Sequence, residues 1–146
     1  GMTSDAHHFV APYFETVRQC MSDAVADAGI TVREIDAVNA HAASTRVGDK
    51  VEFDAMHDLF NGTIPPVCAN KSMIGHAMGA SSVIESIFAM QGMKNDVLPP
   101  TINYTPDPEI DLDCLSEGKR KVSQEFVLKN AFGFGGCNCC AVFRSV

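Results

Sequence analysis

Two histidines are the residues of this sequence best suited to chemistry: His41, in Val38-Asn39-Ala40-His41-Ala42-Ala43-Ser44-Thr45, and His76, in Lys71-Ser72-Met73-Ile74-Gly75-His76. The first stretch reads as a short apolar strand delivering its histidine into a loop of small residues. The second reads as a loop that leaves another strand. Neutral imidazoles that both present an N–H to one point stabilise an oxygen that gains negative charge, such as an enolate or a thioester oxyanion. For either histidine alone, the competing reading is a hydrogen-bonded structural group. The glycine-rich turn Phe132-Gly133-Phe134-Gly135-Gly136 is a third candidate, because its glycines permit backbone conformations closed to other residues and leave peptide N–H groups accessible. Its alternative is a hairpin turn packed by two phenylalanines. Lys71 and Glu85 are the fourth: a carboxylate inside an apolar helix calls for a cationic partner, and Lys71 is the best placed one.

The elements that must hold these groups alternate between helix and strand. Phe14, Val17, Met21, Ala24, Val25 and Ala28 recur at helical spacing, with Gly29 as the stop. Thr31-Val32-Arg33-Glu34 has the capping-box pattern for one short turn, and Ala37 to Ala40 is a buried strand. Gly48-Asp49 starts a second helix, with Asp49 as cap, Glu52 three residues on, and Phe53, Met56, Leu59 and Phe60 as its apolar face; Asn61-Gly62 ends it. Pro66 to Asn70 is a strand and Lys71 opens a loop. A helix from about Gly75 to Met93 follows. Its apolar residues go round most of the cylinder, which predicts burial on more than one side, and Gly75, Gly79, Ser82 and Ser86 form a small-residue row. Tyr104 to Gly118 is an acidic surface loop. Phe126–Asn130 and Asn138–Phe143 are strands joined through the glycine turn, a closing antiparallel pair. The expectation is one α/β domain over 3–146 with a mixed sheet and a buried central helix; at open sheets of this kind sites gather at the carboxyl ends of strands. Gly1 before Met2 has the look of a scar of tag removal and is set apart from the fold with it.

Composition narrows the function classes. The 146 residues are 46% hydrophobic, enough for a substantial core. A formal charge of -7 argues against a nucleic-acid binder. The basic run Lys119-Arg120-Lys121 reads as a solvated turn before a strand, or as a docking spot for an acidic partner. Six cysteines without Cys-x-x-Cys pairs indicate neither zinc nor a disulfide framework, and reduced thiols in a cytoplasmic protein fit best. His7 and His8 are adjacent, with no further ligands near, so no metal site is expected. His76, Glu85, Gln91 and several serines interrupt the one run that could suggest a membrane span.

Taken in order, these motifs resemble a known family. Asn39-Ala40-His41 with Ser44-Thr45, then Lys71 to His76, then Asn130-Ala131-Phe132-Gly133-Phe134-Gly135-Gly136-Cys137-Asn138 look like the three successive C-terminal motifs of the elongating β-ketoacyl-acyl-carrier-protein synthases. The likeness also takes in Ser4 to His8 and the helix ending Ala26-Asp27-Ala28-Gly29.

The resemblance implies the C-terminal half of the thiolase-like fold, in which two α/β halves pack around one active site, usually within a homodimer. It implies an acyltransferase reaction, decarboxylative Claisen condensation of malonyl-carrier protein with an acyl thioester in fatty acid or polyketide synthesis. By the same resemblance His41 and His76 bind the thioester carbonyl, Lys71 pairs with Glu85 to order the site, Phe134 supplies a backbone N–H and gates the acyl pocket with Gly133 and Gly135 in support, and Thr45 touches the phosphopantetheine arm. That arm arrives on the acyl carrier protein, so no resident cofactor is implied. Partners would be the carrier protein and either a second copy or a separate N-terminal half bearing the nucleophilic cysteine, without which the chain should lack condensation activity. Two departures stand out: Ala42-Ala43 where the family usually has Gly-Thr, and Cys137 where threonine is usual. The alternatives are a non-catalytic accessory subunit of the chain-length-factor kind and an inactive fragment.

Overall fold

A computed structural model describes residues 1–146. Its main sheet has five strands in the order β1-β7-β6-β2-β3: β1 is Met2–Ser4, β2 Ala37–Asn39, β3 Val67–Cys68, β6 Phe126–Gly133 and β7 Cys137–Arg144. β2 runs parallel to both β3 and β6, while β7 runs antiparallel to β6 and to β1. The carboxyl ends of β2, β3 and β6 therefore open on one edge, and each is followed by one of the three motifs. β4 (Val97–Leu98) and β5 (Arg120–Lys121) form a separate antiparallel pair.

Helices cover both faces. α1 (Phe14–Asp27) and α2 (Arg46–Leu59) pack on one, where Val17, Met21, Met56 and Leu59 meet Val38 and Leu128 in the larger apolar cluster. α4 (Ser81–Lys94) lies on the other, where Ala89 and Met93 meet Ala37, Cys68 and Val127. Because successive strand residues point to opposite faces, the alternation in β6 has a direct outcome. Val127 and Lys129 go to the α4 side, Leu128 and Asn130 to the side of α1 and α2. Two polar residues in a buried strand are thus each aimed at a helix.

The mixed sheet, the first helix with Gly29 in the left-handed region (φ 69°), the Thr31–Glu34 capping box and the closing β6–β7 pair match the sequence reading. Several boundaries do not. Gly1 and Met2 belong to the fold: Met2 is in β1, and Gly1 donates its amino group to the Cys140 carbonyl and accepts from the Cys140 amide. α2 starts at Arg46 and is capped by Thr45, whose hydroxyl accepts from the Gly48 amide, while Asp49 accepts from the Thr45 amide. Asp49 is the reciprocal half of the cap, and Glu52 is released for another use. Lys71 opens one helical turn, α3 (Lys71–Ile74), rather than a loop. The last helix begins at Ser81, not Gly75, because Gly75 at φ 74° and Met78 at φ 49° interrupt helical backbone; this also breaks the small-residue row.

Nor is α4 buried all round within this chain. Its inner face holds Ser81, Glu85, Ala89, Gly92 and Met93, while Val83 is 63% and Ile87 50% exposed. Gly92 is where the next segment presses closest: a Cβ there would sit 2.7 Å from the Val97 carbonyl oxygen. Gly92→Ala should therefore cost about 1–3 kcal/mol in urea denaturation, the usual penalty of overpacking, whereas Gly79→Ala, which meets nothing within 4 Å, should cost little.

Candidate active site

His41 leaves the end of β2 into a loop that would be unstable without help. Glu52, in the second turn of α2 and 3% exposed, accepts the His41 amide at 2.8 Å and the Ala42 amide at 2.8 Å, and the Asn130 side-chain amide from β6 at 3.0 Å. One buried carboxylate satisfies three donors, which is what makes burying it tolerable. By sequence Glu52 is the residue three beyond the expected cap Asp49, the partner position of a capping box. Its signal is its spacing: three, four and seven residues before Ala55, Met56 and Leu59, it falls on the buried face of α2.

A second carboxylate fixes the other components. Glu85, 1% exposed, has one oxygen 2.7 Å from the Lys71 ammonium and the other 2.7 Å from the Lys129 ammonium. The Lys71 pairing was expected; Lys129 was not singled out from the sequence. Lys71 also donates to the His41 carbonyl, and its Nζ lies 3.5 Å from His41 Nδ1. Lys129 donates to the Asn130 carbonyl. Burial lowers the proton affinity of Lys71, and Glu85 opposes that loss.

These charges set the state of His41. Burial first, then the ammonium groups of Lys71 and Lys129 and the ring of His76, push its pKa down to about 3. An ammonium cannot accept a proton, so Nδ1 facing Lys71 is the acceptor nitrogen and the proton sits on Nε2. His76 arrives at the same tautomer by another route. Its Nδ1 accepts the Met78 amide at 3.0 Å, with Ser81 Oγ also at 3.0 Å. The two rings stand edge to face with centroids 5.7 Å apart, and Phe132 packs on His41 at 5.5 Å.

Both histidines line one cavity of about 560 Å³ together with Thr45, Lys71, Phe132 and Phe134. The three motifs named from the sequence thus meet, with Glu85 among the lining residues. Phe134 is 59% exposed with its ring stacked on Phe9 at 5.2 Å. In the glycine turn, Gly135 (φ 73°) and Gly136 (φ 76°) take up left-handed backbone, and a Cβ on Gly136 would strike the Asp5 carboxylate at 2.1 Å. Gly133 does not need such freedom: its φ of -110° is extended, and what limits it is the Cys137 carbonyl 3.1 Å from a Cβ. Thr45's hydroxyl is engaged as the cap of α2 and still borders the cavity. Cys68 is buried, and burial pushes its thiol up to about 12, so it offers no thiolate. Cys137 borders the cavity and is exposed. His7 stacks on Tyr13, and His8 accepts the Val10 and Ala11 amides, both in local loop structure. No helix is long and apolar enough to cross a membrane.

Two outcomes follow from this geometry. In the folded chain His41 takes a proton only near pH 3, but in the unfolded chain it does so near 6.5. Between those values the unfolded state binds more protons, so this group makes stability fall as pH drops below about 6.5. Urea denaturation between about pH 7 and pH 5 should give a shallower loss of stability for His41→Asn than for the unaltered chain; equal slopes would contradict it. Ala42 sits at φ 37°, where a side chain is strained. Ala42→Gly should therefore raise stability, by up to about 1 kcal/mol in the same assay.

Comparison with known proteins gives the family and the fold. The family model for the β-ketoacyl synthase C-terminal domain matches residues 1–105. The 3-oxoacyl-acyl-carrier-protein synthase 2 of Mycobacterium bovis is 40% identical over 146 residues, covering 98% of this chain and 35% of the relative. A β-ketoacyl synthase from Burkholderia phymatum superposes with a TM-score of 0.95 at 36% identity, over 100% of this chain and 36% of that one. A ketosynthase solved in complex with its type II polyketide synthase acyl-carrier protein and bound to a hexaketide gives 0.93 at 30% identity, over 99% and 37%. The chain spans little more than a third of the length of these relatives. Its fold is that of the thiolase-like ketosynthases, and the chain belongs to the β-ketoacyl synthase family as that family's C-terminal domain.

Proposed function

We propose that this domain supplies the decarboxylating, enolate-stabilising half of a condensing enzyme's active site. The observation that carries the reading is the pair of imidazoles, each with its Nδ1 occupied as an acceptor, so that two Nε2–H groups are available at one cavity. A malonyl thioester carbonyl oxygen held by both would be stabilised as charge develops on it. The carbon–carboxylate bond breaks, carbon dioxide leaves, and its electron pair passes into the enolate. The enolate carbon then attacks the carbonyl carbon of an acyl group held as a thioester on a cysteine, and the cysteine leaves as thiolate. That cysteine would come from the part of the longer relatives that this chain does not span.

In this reading Lys71 keeps His41 in the required tautomer, and Glu85 keeps Lys71 in place. The backbone of Phe134 would offer a further donor, its exposed ring would gate the acyl pocket, and Thr45 would meet the phosphopantetheine arm of an acyl carrier protein. Ala43, which borders the cavity where the resemblance leads one to expect a hydroxyl, would leave that arm with one contact fewer. The uncovered apolar row on α4, Val83, Ile87 and Met90, supports a second polypeptide segment or a second copy closing that side.

The test is carbon dioxide release from malonyl-carrier protein, measured for this chain alone and with a separately expressed N-terminal synthase segment. Release should fall by about 100-fold or more in both His41→Ala and His76→Ala, the usual cost of losing one such donor. No release even with the second segment present would overturn the reading in favour of an accessory subunit or an inactive fragment.

A further inference from the structure

Lys129 has no place in the reaction outlined above, yet it stands in the middle of a buried strand at 3% exposure. An apolar residue would be cheaper there, because an ammonium must be stripped of water. Its neighbours explain how it is tolerated: it faces α4, where Glu85 meets it at 2.7 Å, and it donates to the Asn130 carbonyl. What it does there follows from the charges around His41. Lys71 from α3, Lys129 from β6 and His76 from the loop before α4 act on that ring directly, while Glu52 from α2 holds the His41 main chain, Glu85 from α4 holds the two lysines, and Asp49 from α2 lines the same cavity. Asp49 stands at the α2 cap, holding the Thr45 amide. The deeply buried set is two ammonium groups, Lys71 and Lys129, against two carboxylates, Glu52 and Glu85.

We propose that Lys129 is a positioning residue of this site: its ammonium occupies the second oxygen of Glu85, so that Lys71 keeps charge and N–H donors directed at His41 and that ring stays a neutral Nε2–H donor. With Lys129 present, a proton on His41 would set three cations against two carboxylates, four of these five groups being buried. With Lys129 removed, two carboxylates face one ammonium, and a proton on His41 restores the balance. Glu85 would also be free to hold Lys71 through both oxygens and draw it from His41 Nδ1. The consequence for catalysis rests on the condensing-enzyme reading; the charge arrangement does not.

The experiment follows the imidazole resonances of the whole chain by NMR across pH, comparing Lys129→Met and Lys129→Arg with the unaltered protein. His41→Asn identifies the His41 signals, and His76 and His57 serve as references. Lys129→Met should raise the His41 titration midpoint by about one pH unit or more, while Lys129→Arg, which keeps the charge, should leave it near its original value. An unchanged midpoint in Lys129→Met, or an equal rise in Lys129→Arg, would overturn the proposal. If Lys129→Met does not fold, Lys129→Gln, which loses the charge but keeps a donor for the Asn130 carbonyl, makes the same comparison. Ring titration needs no turnover, so failure here is separate from failure to release carbon dioxide.

Discussion

The carboxylate of Glu85 is the group on which the site depends. It is almost wholly removed from water, and such a charge is stable only when other charges answer it at close range. Two do, Lys71 just beyond β3 and Lys129 within β6, and the pairings join α4 to the strands whose ends carry the site. Removing either lysine would leave a charge tally that the interior cannot screen. The same contacts that hold α4 against the sheet therefore also fix the field at His41. Packing and electrostatics are one arrangement here.

Glu52 does for the backbone what Glu85 does for the side chains. The loop after β2 must turn sharply enough to place Ala42 in left-handed backbone, and the amides freed by that turn point into the protein. Glu52 accepts both, and Asn130, reaching across from β6, ties the same carboxylate to the sheet. His41 is thereby positioned by its main chain as well as by its ring. His76 is held more lightly, through the Met78 amide and Ser81, in an exposed segment between two helices. One histidine is set within the domain and the other at its surface. A cavity with one firm wall and one open side fits a domain that is little more than a third of its relatives' length.

Much of this was legible in the sequence, and the reason is local. Strand-then-small-residue-loop patterns, glycines at forced left-handed positions and helical apolar spacing depend on neighbours along the chain. They gave the mixed α/β sheet, the closing hairpin and the convergence of His41, Lys71, His76 and the glycine turn at strand ends. The Lys71–Glu85 pair followed from the cost of burying a carboxylate, with no need to know the fold. Helix boundaries were less legible. Thr45 and Asp49 are both good capping residues four apart, and only the observed hydrogen bonds decide which begins α2.

The sequence by itself determined which residue types could do chemistry and that they stand at strand ends, because charge, glycine freedom and apolar periodicity are written residue by residue. Only the tertiary structure decided their partners. Glu52 reads as the capping-box partner of Asp49, since nothing local says that an α2 carboxylate lies under the backbone of a loop ten residues earlier. Lys129 is the strand residue the sequence indicates, but β-alternation sends it to one face or the other without saying that α4 waits there with Glu85. The tautomers of His41 and His76 were likewise open until Lys71 and the Met78 amide were seen to face Nδ1. Each of these depends on groups brought together across the sheet, and such proximity is a property of the folded chain alone.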